Sequence, residues 1–338
     1  MIYQTLLERC PHIPTVGMGN DAWLEKRREG IGGSDAGAIM GMSAYGSPLT
    51  VYLQKKNLDP KSKTSRAARR GKILEPMIRA ETAKDFPELD IEPLPAMLAD
   101  PEHPFMLANI DGVIFAKAPV EIRWQAIEGL GGHEIKSAKT DFGWGEDEIP
   151  DAYYAQVQHY MKVTGLPWFV VSAYILDDES LNHYVICRNE EFIARLVATE
   201  TCFWEDYIKT DTMPAPMGID NEDDMITGMF EGAKQTITLG DRERELCAEY
   251  VLAGKEIKEL EGRKKEIAIT IKEAIVNSGE KNPDELKAQA RAGDYSISWS
   301  RFNRHSVDSD ALKRDGLYEK YAKVSESGRF TITEKKGA

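Results

Sequence analysis

The stretch GHEIKSA, Gly132 to Ala138, constrains this chain more than any other. As a strand, its side chains alternate between two faces, so Glu134 and Lys136 project together while Ile135 projects to the other, buried face. A carboxylate and an ammonium on an apolar strand are expensive to desolvate unless they are paired or bound to a metal. Asp111 follows the apolar run Phe105-Met106-Leu107 and precedes a glycine, which can bring a second carboxylate alongside. Two carboxylates, the Ile135 carbonyl and water form an all-oxygen set of the kind Mg²⁺ accepts. Lys136 would then stand beside a metal-bound water, an arrangement suited to cutting phosphodiesters. Alone, an acid-x-Lys pair is ordinarily a surface ion pair. Glu75 in RGKILEPMIRAE and Gln156 in AQVQHYMKV supply two further polar positions in chain order, and tip the balance toward catalysis.

Composition narrows the field. With 338 residues the chain can form two domains, or one α/β domain with an appendage. The net charge of −13 argues against a protein that coats nucleic acid indiscriminately, though not against basic groups gathered in one channel. Lys55, Lys56, Lys61, Lys63, Arg66, Arg69, Arg70 and Lys72 are such a gathering, opposed only by Asp59; a solvated face explains them as well. No long apolar run predicts a membrane span, and the first residues lack the layout of a signal peptide. Cys10, Cys187, Cys202 and Cys247 are too scattered for zinc or iron–sulfur ligation and read as reduced cytosolic thiols.

In chain order, Trp23 to Arg28 reads as helix, Gly32-Gly33 interrupts it, and Ser34 is placed to cap a short helix from Asp35 to Met40. Glycines before a helix start offer free N–H groups to an anion, and Arg27 or Arg28 could add a bidentate contact. Asp35 opposes that use, and an ordinary glycine turn with a serine cap explains the segment more simply. Leu49 to Gln54 reads as helix and the basic stretch after it as a loop. Arg70 to Lys84 is an amphipathic helix with Ile73, Met77 and Ile78 inward and Glu75-Pro76 in its first turn, where the dipole favours an acid. Residues 91–98 and 105–115 read as strands, 116–131 as a loop or hairpin tip, and 141–151 as an acidic segment near the mouth of the site. Tyr153 to Val163 is a helix on which Gln156 and Tyr160 share a face. Phe169–Tyr174 and Leu181–Cys187 are strands and Glu190–Tyr207 a helix, giving an α/β layout with a mixed central sheet.

Pro214, Pro216 and Gly218 mark a boundary. Beyond it Leu246, Tyr250, Ala253, Ile257, Leu260, Lys264, Ile267, Ile271 and Ala274 follow the 4–3 spacing of a heptad seam, ended by Asn277-Ser278-Gly279. A long helix packed on its own protein is the simplest use of such a seam. Residues 294–302 read as a strand, Asp308 to Tyr321 as a helix and 329–333 as a last strand.

Five segments stand in register over residues 20–210: AWLEKRREGIGGSDAGAIMG, RGKILEP, the acid of NIDG, the E-x-K of HEIKS, and AQVQHYMKVTG. In them the chain resembles the YqaJ-type viral recombinase family, relatives of phage lambda exonuclease among the PD-(D/E)xK nucleases. Ile110 stands where the superfamily's name has proline. The resemblance implies an α/β, restriction-endonuclease-like core with a mixed central sheet flanked by helices over residues 1–212. A linker over 213–240 and a C-terminal helical and small α+β region over 241–338 would follow. It further implies a Mg²⁺-dependent exonuclease, with Mn²⁺ as substitute, that degrades one strand 5′ to 3′ from linear double-stranded DNA ends.

By the same resemblance Asp111, Glu134 and the Ile135 carbonyl hold one ion, and Glu75 with Asp111 helps hold a second or its waters, clamping attacking and leaving oxygens. Lys136 positions and helps deprotonate the water, its pKa depressed if desolvation outweighs the nearby acids. Gln156 orients water or a phosphate oxygen, with Tyr160 in support. Arg27, Arg28, Gly33 and Ser34 fall where a 5′-terminal phosphate is held. A ring trimer, a single-strand annealing protein as partner, and the cytoplasm of a bacterial host carrying a phage or prophage complete what is implied. An endonuclease of the same fold and a non-catalytic DNA-binding or assembly protein are the alternatives. The intact set Glu75, Asp111, Glu134 and Lys136 weighs against the second.

Overall fold

A computed structural model describes residues 1–58, 66–229, 232, 236–278, 287–302, 304–323 and 330–333. They divide into two compact units, Met1–Glu231 and Gly232–Ala338. The first unit opens with α1 (Gln4–Arg9), β1 (His12–Pro14), α2 (Asn20–Arg28), β2 (Ile31–Gly32), α3 (Gly33–Ile39) and α4 (Pro48–Lys55). Next come α5 (Arg66–Asp85), β3 (Leu89–Glu92), β4 (Ala96–Ala99), β5 (Met106–Ala108), β6 (Gly112–Ile122) and β7 (Gln125–Ala138). It closes with α6 (Asp151–Thr164), β8 (Trp168–Ile175), β9 (Ser180–Cys187), α7 (Glu190–Phe203), a π-helical turn (Trp204–Ile208) and α8 (Asp220–Gly228).

Apolar residues on both faces of the strands bury one sheet between two helical layers. Its order is β3-β6-β7-β8-β9, with β7–β8 parallel and the other pairs antiparallel, so the sheet is mixed as expected. On one face Val113, Phe169 and Val171 pack with Val157 and Met161 of α6 and Leu196 of α7. On the other, Ile114, Ala116, Trp168 and Val170 pack with Phe86 just beyond α5. Burying each large side chain contributes roughly 1.5–3 kcal/mol. A smaller sheet, β1-β4-β5-β2, flanks this core.

Several expectations are corrected. Of the two readings of 116–131, loop or hairpin tip, the hairpin holds and the loop does not: β6 and β7 run as strands to a turn at Arg123-Trp124, with Arg123 at φ +53° and an irregularity between Ala116 and Val120. Helix α5 begins at Arg66, so Pro76 lies inside it and Glu75 well past its first turn. Ile78 and Thr82 face the sheet, while Ile73 is 67% exposed and Met77 is 41% exposed. The strand expected over 105–115 is broken at 109–111, which leaves Asp111 between β5 and β6. Ser34 does not cap α3; Asp35 does, its Oδ2 accepting from the Gly32 N–H at 2.9 Å. Ile135 is half-buried and Glu134 is the buried one, because α6 covers its face of the sheet. Helix α8, inside the segment expected to be linker, is tied to the first unit where Ser47 Oγ donates to the buried Glu222 carboxylate.

The second unit holds α9 (Asp241–Ser278), the hairpin β10 (Lys287–Ala292) and β11 (Tyr295–Ser300), α10 (Ser309–Arg314) and α11 (Tyr318–Tyr321). The helix expected over 308–321 is split at Gly316, which has φ +69°. Residues 330–333 form no strand, and Arg329, like Lys61, Lys63 and Gly279, lies outside the described residues.

Candidate active site

The site forms where the sheet is left incomplete. The last β6–β7 pair is Gly112 with His133, so beyond it the β7 edge has no β6 neighbour. Asp111 fills the gap: its Oδ2 accepts the Ile135 backbone N–H at 2.7 Å. The chain's turn into β6 thereby sets one carboxylate beside the strand that carries Glu134 and Lys136. From the α5 side, Arg79 Nη2 donates to Glu75 Oε1 at 2.5 Å and to the Asp111 carbonyl at 2.9 Å. Burial pushes the Asp111 carboxyl well above the ordinary range, and the charges of Glu134 and Glu75 push it further. Burial likewise raises Glu134, against the pull of Lys136. Two buried carboxyls therefore act on each other, while Glu75, about one-third exposed and paired with Arg79, adds its charge from the side.

On the α6 side, Lys136 Nζ donates to Glu134 Oε1 at 2.6 Å and to Gln156 Oε1 at 2.9 Å. Gln156 Nε2 donates to the same Glu134 Oε1 at 2.7 Å and to the Tyr160 hydroxyl at 3.0 Å. Lys136 also sits 4.5 Å from the centre of the Tyr153 ring, a cation–π contact. Burial pulls its pKa down, but Glu134 and Asp111 outweigh burial and the net shift is upward. The acids therefore keep Lys136 an ammonium, contrary to the depressed pKa that the resemblance allowed for. Glu134 Oε2 is buried and has no hydrogen-bond partner. A buried carboxylate oxygen with no partner, on a carboxyl that also acts on Asp111, fits a hard divalent cation, although among the described residues it is Asp100, Glu102 and His103 that bring three ligand atoms within 4.8 Å of one another.

The proposed anion-binding residues lie nearby and are connected through Tyr160, whose ring packs on Gly33. Arg27 Nη2 donates to Ser34 Oγ and to Asp35 Oδ1, both at 2.6 Å. Lys55, buried, completes the cluster with its Nζ 2.6 Å from Asp35 Oδ2. Burial would raise the Asp35 carboxyl, but Arg27 and Lys55 hold it at about 2. Asp35 therefore does not repel an anion here: two cations meet one carboxylate and the cluster stays net positive. Arg28 follows on α2, half-buried.

The YqaJ-like viral recombinase domain matches residues 22–167, which contain every one of these side chains. The uncharacterised protein YqaJ of Bacillus subtilis (strain 168) is 30% identical over 329 residues, covering 94% of this chain and 95% of that protein. The chain belongs to the YqaJ family. Among solved structures it is similar to LHK-Exo in complex with dAMP, at 19% identity and a TM-score of 0.44, over 57% of this chain and 94% of that one. It is also similar to the alkaline exonuclease LHK-Exo from Laribacter hongkongensis, at 18% identity and a TM-score of 0.41, over 57% and 97%.

Sequence patterns missed several residues of the candidate site. Arg79 was legible only as the residue four beyond Glu75 on a helix, the spacing of an ion pair. Lys55 stood inside a basic run with nothing to mark it as buried, and Tyr153 carried no signal for its contact with Lys136. Beneath the site, His159 Nδ1 meets the buried Glu200 at 2.9 Å while its Nε2 donates to the Leu107 carbonyl at 2.9 Å, bracing α6 against α7 and β5. A second acidic cluster, Asp100, Glu102 and His103, has ligand atoms close together, but Lys162 Nζ already meets Asp100 at 3.0 Å and Glu102 at 2.9 Å. Asp100 Oδ1 also accepts the N–H groups of Glu102 and His103, so this cluster is spent on its own turn. Among the described residues no helix is long and apolar enough to cross a membrane.

Proposed function

We propose that the protein is a Mg²⁺-dependent deoxyribonuclease that digests one strand of linear duplex DNA from its end, 5′ to 3′, and leaves a single strand for annealing. The observation that carries this reading is the buried Glu134 Oε2, which lacks a hydrogen-bond partner while the charge of Glu75 acts on the same carboxyl. Asp111, Glu134, the Ile135 carbonyl and Glu75 would hold the metal. When bound, Mg²⁺ supplies Lewis-acid polarisation of the phosphoryl oxygen and a more acidic water. Lys136, as an ammonium held by Glu134, Gln156 and the Tyr153 ring, donates to an oxygen of the reacting group and orients it. Gln156 presents an amide to the same space and Tyr160 fixes its rotamer. Arg27 with Ser34 and the free N–H groups at the start of α3 would receive the 5′-phosphate. Family membership supports the reading, as does the electrostatic influence of Glu134, Lys136 and Glu75 on Asp111. A homo-oligomeric ring and a single-strand annealing partner belong to the same proposal.

The test is a time course on linear duplexes with and without a 5′-phosphate, in Mg²⁺, in Mn²⁺ and in chelator, beside a covalently closed circle. Loss of the 5′-phosphorylated strand, in metal only and with the circle intact, is expected. Cutting of the circle would assign an endonuclease instead. Absence of metal-stimulated cleavage on any substrate would overturn the enzymatic reading.

A further inference from the structure

Helix α9 runs 38 residues and none of its residues is buried. At 1.5 Å per residue that is about 57 Å of helix. Leu246, Tyr250, Ile257, Leu260 and Ile267 are each more than half exposed, all on the 4–3 seam. Among the described residues of its own unit, Lys272 lies 5.6 Å from the Trp299 ring and Tyr250 meets Phe330 edge to face at 6.2 Å. An apolar stripe of this length and regularity marks an association surface.

We propose that the stripe pairs with a second copy of this chain, α9 against α9, antiparallel, with the two-fold axis passing between Ile257 and Leu260. In heptad terms Tyr250, Ile257, Lys264 and Ile271 take the a positions, and Leu246, Ala253, Leu260 and Ile267 the d positions. In a parallel pair a meets a, which sets Lys264 against Lys264 of the second copy inside the seam. It also turns Glu256 at g toward Glu261 at e. Both contacts are like-charged.

Antiparallel pairing removes them, because a then meets d. With Ile257 opposite Leu260 of the second copy, Tyr250 meets Ile267 and Ile271 meets Leu246. Lys264 falls opposite Ala253, where the small side chain and the neighbouring Gly254 leave room for its stem. The same register sets Glu256 against Arg263 of the second copy, twice by symmetry, where g faces g. A slide of one heptad in either direction brings Arg263 against Arg263 or Glu256 against Glu256. Charge and volume thus select one orientation and one register. The contact is isologous and closes on two copies.

Sedimentation equilibrium of the full-length protein over a concentration series tests this. Leu260→Glu, an exposed position whose replacement leaves the fold intact, is expected to halve the mass of the assembly; circular dichroism checks that α9 persists. Glu256→Arg and Arg263→Glu are each expected to weaken association by about tenfold, and the double swap to restore it. A Glu256→Arg variant that associates more tightly would overturn the antiparallel arrangement, since only parallel pairing relieves Glu256 and Glu261. A mass unchanged by Leu260→Glu, or α9 that binds only a different protein, would overturn the proposal altogether.

Discussion

The ring of Tyr160 rests directly on the α-carbon of Gly33: a methyl placed there would come within 2.4 Å of Cε1. The contact joins the start of α3, where Arg27, Ser34 and Asp35 cluster, to the Gln156–Glu134–Lys136 chain on the far side of the same tyrosine. Gly33→Ala is expected to displace the ring and break the Gln156–Tyr160 hydrogen bond. Overpacking of this kind costs roughly 1–3 kcal/mol. Urea denaturation measures the loss, and a simultaneous fall in nuclease rate is expected because Gln156 loses its anchor.

Lys136→Ala removes the ammonium that Glu134 and Gln156 hold. Nuclease activity is expected to drop by about 10²–10³, the range for removing one donor aimed at charge that develops in a transition state. Binding of linear duplex, followed by fluorescence anisotropy, should survive. Lost binding with intact cleavage would refute the role.

Arg79→Ala leaves Glu75 without its guanidinium and frees the Asp111 carbonyl. Two more negative groups then drift relative to each other, so the concentration of Mg²⁺ needed for half-maximal activity is expected to rise several-fold. An unchanged Mg²⁺ titration would show that Arg79 is merely a helix ion pair.

Arg27→Ala should abolish any preference for a 5′-phosphorylated end while cleavage of unphosphorylated duplex continues. Equal effects on both substrates would remove Arg27 from the phosphate site.

Stability should fall in acid through Asp35. Its carboxyl is held at about 2 in the fold against 3.8 ordinarily. The folded value is the lower one, so the stabilisation is present above pH 4 and lost as pH falls toward 2. It amounts to about 2 kcal/mol. Burial pushes Lys55 down and offsets part of it. Asp35→Asn is expected to flatten this acid limb in a pH series of urea melts. At neutral pH it should destabilise by about 3–5 kcal/mol, because Arg27 and Lys55 are left facing each other.

The parts of the site carried by one element were legible before the fold was known. Period-two alternation places Glu134 beside Lys136, and the spacing of four places Gln156 beside Tyr160. Apart from Asp111 beside β7, what depended on two distant elements was not. Asp35 reads in sequence as an acid that opposes an anion, and its pairing with Lys55, which reverses that reading, arises only when α3 and α4 pack together. Pro76 signals a helix start, but Arg66 to Lys72 extend α5 ahead of it, which turns Ile73 and Met77 to solvent. At 116–131 a hairpin tip was legible but the length of its strands was not, because glycines and charges, signs of a loop, also suit strands that reach past the covered core.

One amide decides much of this arrangement. Were β6 to pair by two residues more, the N–H of Ile135 would go to a backbone carbonyl and Asp111 would be evicted from its seat. Completing the ladder and seating Asp111 on β7 compete for the same amide, so a longer β6 is expected to take the proposed site apart while leaving Glu134 and Lys136 on their strand.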